Sequence, residues 1–324
     1  MAKNIIICCD GTGNKFGIHN TNVVSLYQRV VRDQDQIAYY DPGIGTFSIL
    51  GLKLGKSLGQ GLGAAFGYGI TQNLVDAYSY LMRHYEGGDK VYLFGFSRGA
   101  YTARVLAGML HKVGLLQDGS QNQISYAIEM YMEAGNDIVA AKFKETYSNI
   151  CKPHFVGVWD TVSSMGSRFA SKFLDADLNS DIKNAVHAIS IDEKRRKFPI
   201  LMWNDANQAD GQMVKQVWFP GVHSDVGGFY PERGLSDASL SWMLDEAESC
   251  GLRLKEGYEV ELRPNPSAML HESYSGWWRL FGKKPREIPE GASIHNSVIE
   301  RMNNLAAGYR PRLPVCFQTI GPNS

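Results

Sequence analysis

Val91-Tyr92-Leu93-Phe94-Gly95-Phe96-Ser97-Arg98-Gly99-Ala100 decides how the chain is read. The apolar run from Lys90 to Phe94 has the length and the aromatic and β-branched content of a buried strand. From Ala100 to Leu110 the composition is that of a helix. Between them stands Gly95-Phe96-Ser97-Arg98-Gly99, a G-x-S-x-G sequence. A strand before it and a helix after it form the context of a nucleophile elbow. Such a turn is too sharp to admit flanking side chains, and it lifts the serine hydroxyl above the end of the sheet. The start of the following helix brings backbone N–H groups and a positive dipole end close to that hydroxyl. The competing interpretation is a serine that only N-caps a helix after a buried strand.

Outward from the elbow, strands and helices alternate. Ile5 to Cys9 is a β-branched run closed by Asp10-Gly11-Thr12-Gly13-Asn14, a strand followed by a tight turn. Asn22 to Arg32 has helical spacing. Ile37 to Tyr40 is a second strand, and Thr71 to Tyr85 a helix with Leu74, Val75, Tyr78, Leu81 and Met82 on one face. Residues 124–147 read as helical. His154 to Trp159 is a strand stopped by Asp160, and Asn184 to Ile191 is a mixed apolar segment. Gln216 to Gly221 is a strand before His223, and Ala238 to Glu248 is a helix. The stretch 251–324 is richer in proline and charge and less periodic. This alternation predicts an α/β fold of the α/β-hydrolase kind: a mostly parallel sheet with helices on both faces and inserted cap or loop segments. We read residues 1–324 as one such domain, with lid or cap segments at 43–69 and 265–295. Glycines recur through 43–69, and a helix packed closely through them is favoured over a mobile lid.

Sites in parallel sheets lie beyond the carboxyl ends of strands, which singles out Asp10, Ser97, Asp160 and His223. A serine nucleophile needs a base and an orienting acid, in the chain order Ser, acid, His for this fold. Asp160 follows the apolar run Val156 to Trp159. His223 lies in the loop Pro220 to Gly228 and is the histidine that combines the right order with a post-strand position. Asp225 is a rival acid, although two residues from His223 it would more often cap its own turn. For the oxyanion, one N–H comes from Arg98, after the nucleophile, and the second from Gly11 or Thr12. Asp10 either holds that turn or ligates a metal, and the turn role ranks first. Arg104, two turns into the helix, is expected in a buried salt bridge. No cluster has metal-ligand spacing, and a serine triad requires neither metal nor cofactor.

Composition removes other classes. Lys plus Arg and Asp plus Glu each number 33, so the chain has no net field to hold nucleic acid. Five cysteines, with no CxxC pair, favour a reducing compartment over a disulfide framework. The N-terminal apolar run is too short for a signal-peptide core, and no run is long enough to span a bilayer. The expectation is a cytoplasmic protein, or one exported by a route that reads no N-terminal signal. The oligomeric state is not legible. Trp277-Trp278-Arg279-Leu280-Phe281-Gly282-Lys283-Lys284 pairs aromatics with cations, as a peripheral membrane contact or a loop over the core would.

Longer strings are more specific than the pentapeptide. Asp10 to Asn14, Thr21 to Val23, Tyr40 to Thr46, Leu93 to Arg104, Trp159 to Val162, Ala188 to Glu193 and Gly221 to Gly228 run in the order of one family. The chain resembles the catalytic domain of type VI secretion phospholipase effectors of the Tle type, over roughly residues 4 to 310. The resemblance implies an α/β-hydrolase fold, a triad of Ser97, Asp160 and His223, and hydrolysis of lipid or other acyl esters. Two alternatives stand beside it: a catalytically silent scaffold on the same fold, and a soluble esterase or thioesterase.

Overall fold

The computed structural model describes residues 2–11, 13–14, 16–43, 58–162 and 176–321, with the backbone alone at 58–68 and 207. The strands are β1 (Asn4–Cys9), β2 (Gln36–Asp41), β3 (Lys90–Phe96), β4 (Leu115–Leu116), β5 (Ser148–Asn149), β6 (Pro153–Trp159), β7 (Asn184–Ser190), β8 (Met213–Phe219), β9 (Ala292–His295) and β10 (Phe317–Ile320). The helices are α1 (Asn22–Arg29), α2 (Leu58–His84), α3 (Arg98–Val113), α4 (Ile124–Met132), α5 (Asp137–Tyr147), α6 (His223–Gly227), α7 (Gly234–Ser249) and α8 (Asn296–Asn303). Eight strands form one parallel sheet in the order β10-β9-β8-β7-β6-β3-β1-β2. The short β4 and β5 pair separately, antiparallel. The fold is the α/β architecture expected from the sequence.

Strand alternation sends successive side chains to opposite faces, and β1 shows the consequence. Ile5, Ile7 and Cys9 pack with Leu74 and Tyr78 of α2, Leu106 of α3 and Ile128 of α4. Ile6 and Cys8 pack on the other face with Val23 and Leu26 of α1 and Leu240 and Met243 of α7. Both faces are thus covered, which is why β1 and β3 are apolar almost throughout and β7 is buried at every position. From β1 the chain moves to the outer β2. From β3 it moves the other way, to β6. The order therefore reverses between β1 and β3, and a crevice opens there, beyond the strand ends.

The differences from the sequence reading are local. The helical stretch at 124–147 is two helices, α4 and α5, interrupted before Asp137, where Gly135 takes φ +77°. The mixed segment at 184–191 is a strand, β7, buried along its whole length because it lies in the middle of the sheet. The aperiodic stretch after 251 adds two more parallel strands. Of the stretch 43–69, read as a packed helix in preference to a lid, residues 44–57 lie outside the described residues, and 58–69 belong to α2, a continuous helix from Leu58. The segment at 265–295 is mostly irregular, with a 3₁₀ turn at Gly276–Phe281, and ends in β9.

Candidate active site

β3 ends at Phe96 and α3 begins at Arg98, so Ser97 alone makes the turn. Its backbone sits at φ 58°, ψ −119°, a conformation that L-residues adopt at a cost and that strained functional turns retain. The two motif glycines explain why the turn can close. A Cβ on Gly95 would lie 2.4 Å from the Gly99 carbonyl oxygen, and one on Gly99 would lie 2.1 Å from the Cys9 carbonyl oxygen. Both clashes are with backbone, which no rotamer change relieves. The start of α3 consequently lies directly against the end of β1.

Three side chains from three strand ends converge on this turn. His223 Nε2 is 2.8 Å from Ser97 Oγ, and His223 Nδ1 is 2.5 Å from Asp160 Oδ2. All three residues are buried. In the arrangement that satisfies every group, Nδ1–H donates to the carboxylate and Nε2 accepts the serine hydroxyl. His223 opens α6, a single helical turn after β8. Asn22 Nδ2 ties that turn to α1 by donating to the Val226 carbonyl at 2.9 Å and to the Ser236 carbonyl at 3.0 Å. The imidazole lies between the rings of Phe96, 4.6 Å away, and Phe198, 5.0 Å away. Burial pushes its pKa down, and the hydrogen bond and charge of Asp160 pull against that without restoring the ordinary value.

Asp160 follows β6 at φ 44° and accepts from four groups. Besides His223 these are the Ser190 N–H at 2.8 Å and both terminal nitrogens of Arg286, at 2.5 Å to Oδ1 and 2.9 Å to Oδ2. Burial pushes this carboxyl up, but Arg286 and His223 outweigh it and hold it well below the usual carboxylate range. Asp225 does not reach His223. Its Oδ2 accepts the Val222 N–H at 3.0 Å and its Oδ1 meets His271 Nδ1 at 2.6 Å, so it closes its own turn and anchors the segment after 265.

Asp10 is a turn residue. Its carboxylate accepts the Gly11 N–H at 2.7 Å and the hydroxyls of Thr21 and Tyr40, both at 2.8 Å. The same bond bears on Gly11. Its N–H donates to Asp10, and Gly11 itself borders Ser97. Thr12 lies outside the described residues. Arg98 opens α3, which puts its N–H at the helix start. Arg104 also departs from expectation. It is buried under Trp203 and, among the described residues, donates to the carbonyls of Ala176 and Leu201 rather than to a carboxylate.

Four contributors escape the sequence reading: Ser190, Glu193, Phe198 and Arg286. Glu193 accepts from Arg195, from Ser273 Oγ at 3.0 Å and from the His223 N–H at 3.4 Å. Arg195 covers the Phe198 ring at 3.5 Å, and Trp278 packs edge-on to that ring at 5.2 Å. The string Ser190 to Glu193 is present among the family-like segments, which marks the region without giving its roles. Phe198 and Arg286 carry no local motif.

The family described as "T6SS, Phospholipase effector Tle1-like, catalytic domain" matches residues 3–246. An uncharacterized protein of Saccharomyces cerevisiae is 36% identical over 217 residues, which are 60% of this chain and 32% of that protein. A crystal structure of an uncharacterized protein from Pseudomonas aeruginosa shares the fold, with a TM-score of 0.50 and 20% identity over 82% of this chain and 49% of that one. The chain thus spans about a third of the length of the yeast relative and about half of the crystallised protein.

Proposed function

Since the chain belongs to the family of Tle1-like phospholipase effectors of type VI secretion, through its catalytic domain, we propose that it is a serine hydrolase cleaving carboxylic ester bonds of phospholipids. The observation that carries this reading is the continuous relay from Ser97 Oγ through His223 to Asp160 on a strained strand-to-helix turn. Ser97 Oγ attacks the ester carbonyl carbon while His223 Nε2 takes its proton, and Asp160 stabilises the resulting imidazolium. The carbonyl oxygen becomes an oxyanion at the start of α3, where the Arg98 N–H and the helix dipole favour negative charge. His223 returns the proton to the departing lysophospholipid alkoxide, leaving an acyl-serine. Water, deprotonated by His223, then releases the fatty acid. We read residues 1–324 as one hydrolase domain with 265–295 as its cap. Family membership also supports delivery by a type VI-like route.

Incubation with phosphatidylcholine vesicles should release free fatty acid and lysophospholipid, with no phosphorylated headgroup. Release of headgroup instead would transfer the chemistry to the phosphodiester and refute the reading. The acid limb of kcat/KM is a further expected result. Protonated His223 cannot accept the serine proton, so activity is present above its pKa and lost as pH falls through it. Burial depresses that pKa, so the limb should have its midpoint below the ordinary imidazole value of 6.5. A midpoint above 6.5 in a pH–rate series would contradict it.

The turn at Gly276–Phe281 supports a lipid surface as the source of substrate. Trp277 is 72% and Leu280 71% exposed, beside Arg279, Lys283 and Lys284. Trp278, on the same turn, reaches inward to Phe198 and thence to His223. Among the described residues no helix is long and apolar enough to cross a membrane. With no net charge to draw the protein to lipid, apolar side chains must supply the affinity. Burying one such side chain contributes about 1.5–3 kcal/mol. The double change Trp277→Ala, Leu280→Ala should therefore weaken vesicle binding by roughly 10²-fold or more. Hydrolysis of a short soluble ester should be unchanged. Undiminished sedimentation with vesicles would favour a soluble esterase or thioesterase.

A further inference from the structure

We propose that Arg286, which lies beyond the family-matched residues, is a positioning residue for the reaction: its guanidinium fixes the carboxylate that orients His223. The inference rests on the hydrolase reading above. Arg286 comes from the cap segment, and its side chain is 4% exposed against a fully buried Asp160. Its terminal nitrogens reach both carboxylate oxygens. One of them also donates to the Ser190 carbonyl at 2.9 Å and Ser190 Oγ at 2.7 Å, and the other to the Phe198 carbonyl at 3.2 Å. The segment around it is held in place by backbone bonds, Arg196 N–H to the Gly282 carbonyl and Lys284 N–H to the Lys194 carbonyl.

Two physical demands explain a clamp at this position. While His223 is neutral, a fully buried Asp160 without Arg286 would be a charge with no countercharge, which proteins avoid. The backbone of Asp160 is also at positive φ, a conformation that persists only where the surroundings hold it. A planar fork binding both oxygens removes rotation of the carboxylate, which a lysine ammonium cannot do. The arrangement has a cost. Part of the field of Asp160 falls on Arg286, leaving less to stabilise the imidazolium. Among the described residues, the other charged or titratable groups facing this pair are His187 beside Asp160, and Glu193 and Arg195 beside His223.

The test uses Arg286→Lys and Arg286→Gln, assayed on a soluble p-nitrophenyl ester and with a fluorophosphonate. Arg286→Lys keeps the charge and loses the fork. It should lower kcat by about 10²-fold, the effect of an ångström-scale misplacement of a reacting group, with KM unchanged. Its acid limb should stay where it is. Arg286→Gln should lose a similar factor and move the acid limb to higher pH, because His223 then feels the full charge of Asp160. A packing role alone would not shift that limb. If Arg286→Gln fails to fold, Arg286→Lys decides the matter. A folded Arg286→Lys protein with native kcat and native fluorophosphonate reactivity overturns the proposal. Native protein that is never labelled at Ser97 overturns the hydrolase reading, and the clamp with it.

Discussion

Ser97→Ala is expected to lower kcat on an activated soluble ester by at least ~10³-fold while the protein keeps its fold. Among the described residues, the hydroxyl of Ser97 makes one side-chain hydrogen bond, to His223. Removing it costs little stability, because the backbone conformation of the turn is imposed by Gly95, Gly99 and the end of β1. Alanine tolerates φ 58° no worse than serine. The chemistry is lost instead. Without Oγ there is no acyl-enzyme, and what survives is water attack assisted by the helix start and by binding. Steady-state assays on protein with unchanged circular dichroism and melting temperature provide the check. Comparable turnover by the folded variant would remove Ser97 from the mechanism.

The second large effect is expected at Asp160. Asp160→Asn should reduce kcat by roughly 10⁴-fold, and Asp225→Asn by far less. An asparagine amide presented to Nδ1 can donate to it, which favours the tautomer with its proton on Nε2. In that tautomer His223 has no lone pair for the serine proton. The change also leaves Arg286 without its carboxylate in a buried site, so a lower melting temperature should accompany the rate loss. Asp225 touches the reaction only through its turn. Its bonds run to Val222 and His271, and an asparagine can keep the acceptor half of them. Parallel kcat/KM measurements on the two variants distinguish the carboxylates. An Asp225→Asn enzyme impaired as severely as Asp160→Asn would reverse the assignment.

The legibility of the sequence follows from the range of the interactions involved. The elbow is local. Strand, turn and helix lie within about twenty residues, and Gly95 and Gly99 are required by clashes with nearby backbone, so Ser97 stands out. Asp160 and His223 are distant in sequence but each follows a strand, and the rule that sites gather at strand ends selects them. The partner of the Gly11 N–H is not legible in the sequence. Whether an N–H faces the nucleophile or the preceding carboxylate depends on one peptide orientation. Asp10 wins the donor because its own carboxylate is buried and needs partners. The break between α4 and α5 was obscured because apolar spacing continues across it. Arg286 is hidden most thoroughly. It reaches Asp160 across 126 residues, from an aperiodic stretch rich in proline and charge, and nothing in its neighbours distinguishes it from a surface arginine. Glu193 and Phe198 are similar. Their roles arise from packing against His223, not from any pattern in their own segment.

The account depends on Ser97 being a nucleophile activated by His223, and covalent labelling addresses that directly. Native protein, Ser97→Ala and Asp160→Asn are incubated with a fluorophosphonate, digested and mapped by mass spectrometry. In the reaction the serine oxygen bonds to phosphorus and fluoride leaves, so the modified residue is identified by its mass. The expected result is one stoichiometric adduct on the peptide containing Ser97 in the native protein, none in Ser97→Ala and a much slower one in Asp160→Asn. An unlabelled Ser97 in native, folded protein, or an adduct confined to another residue, would contradict the account.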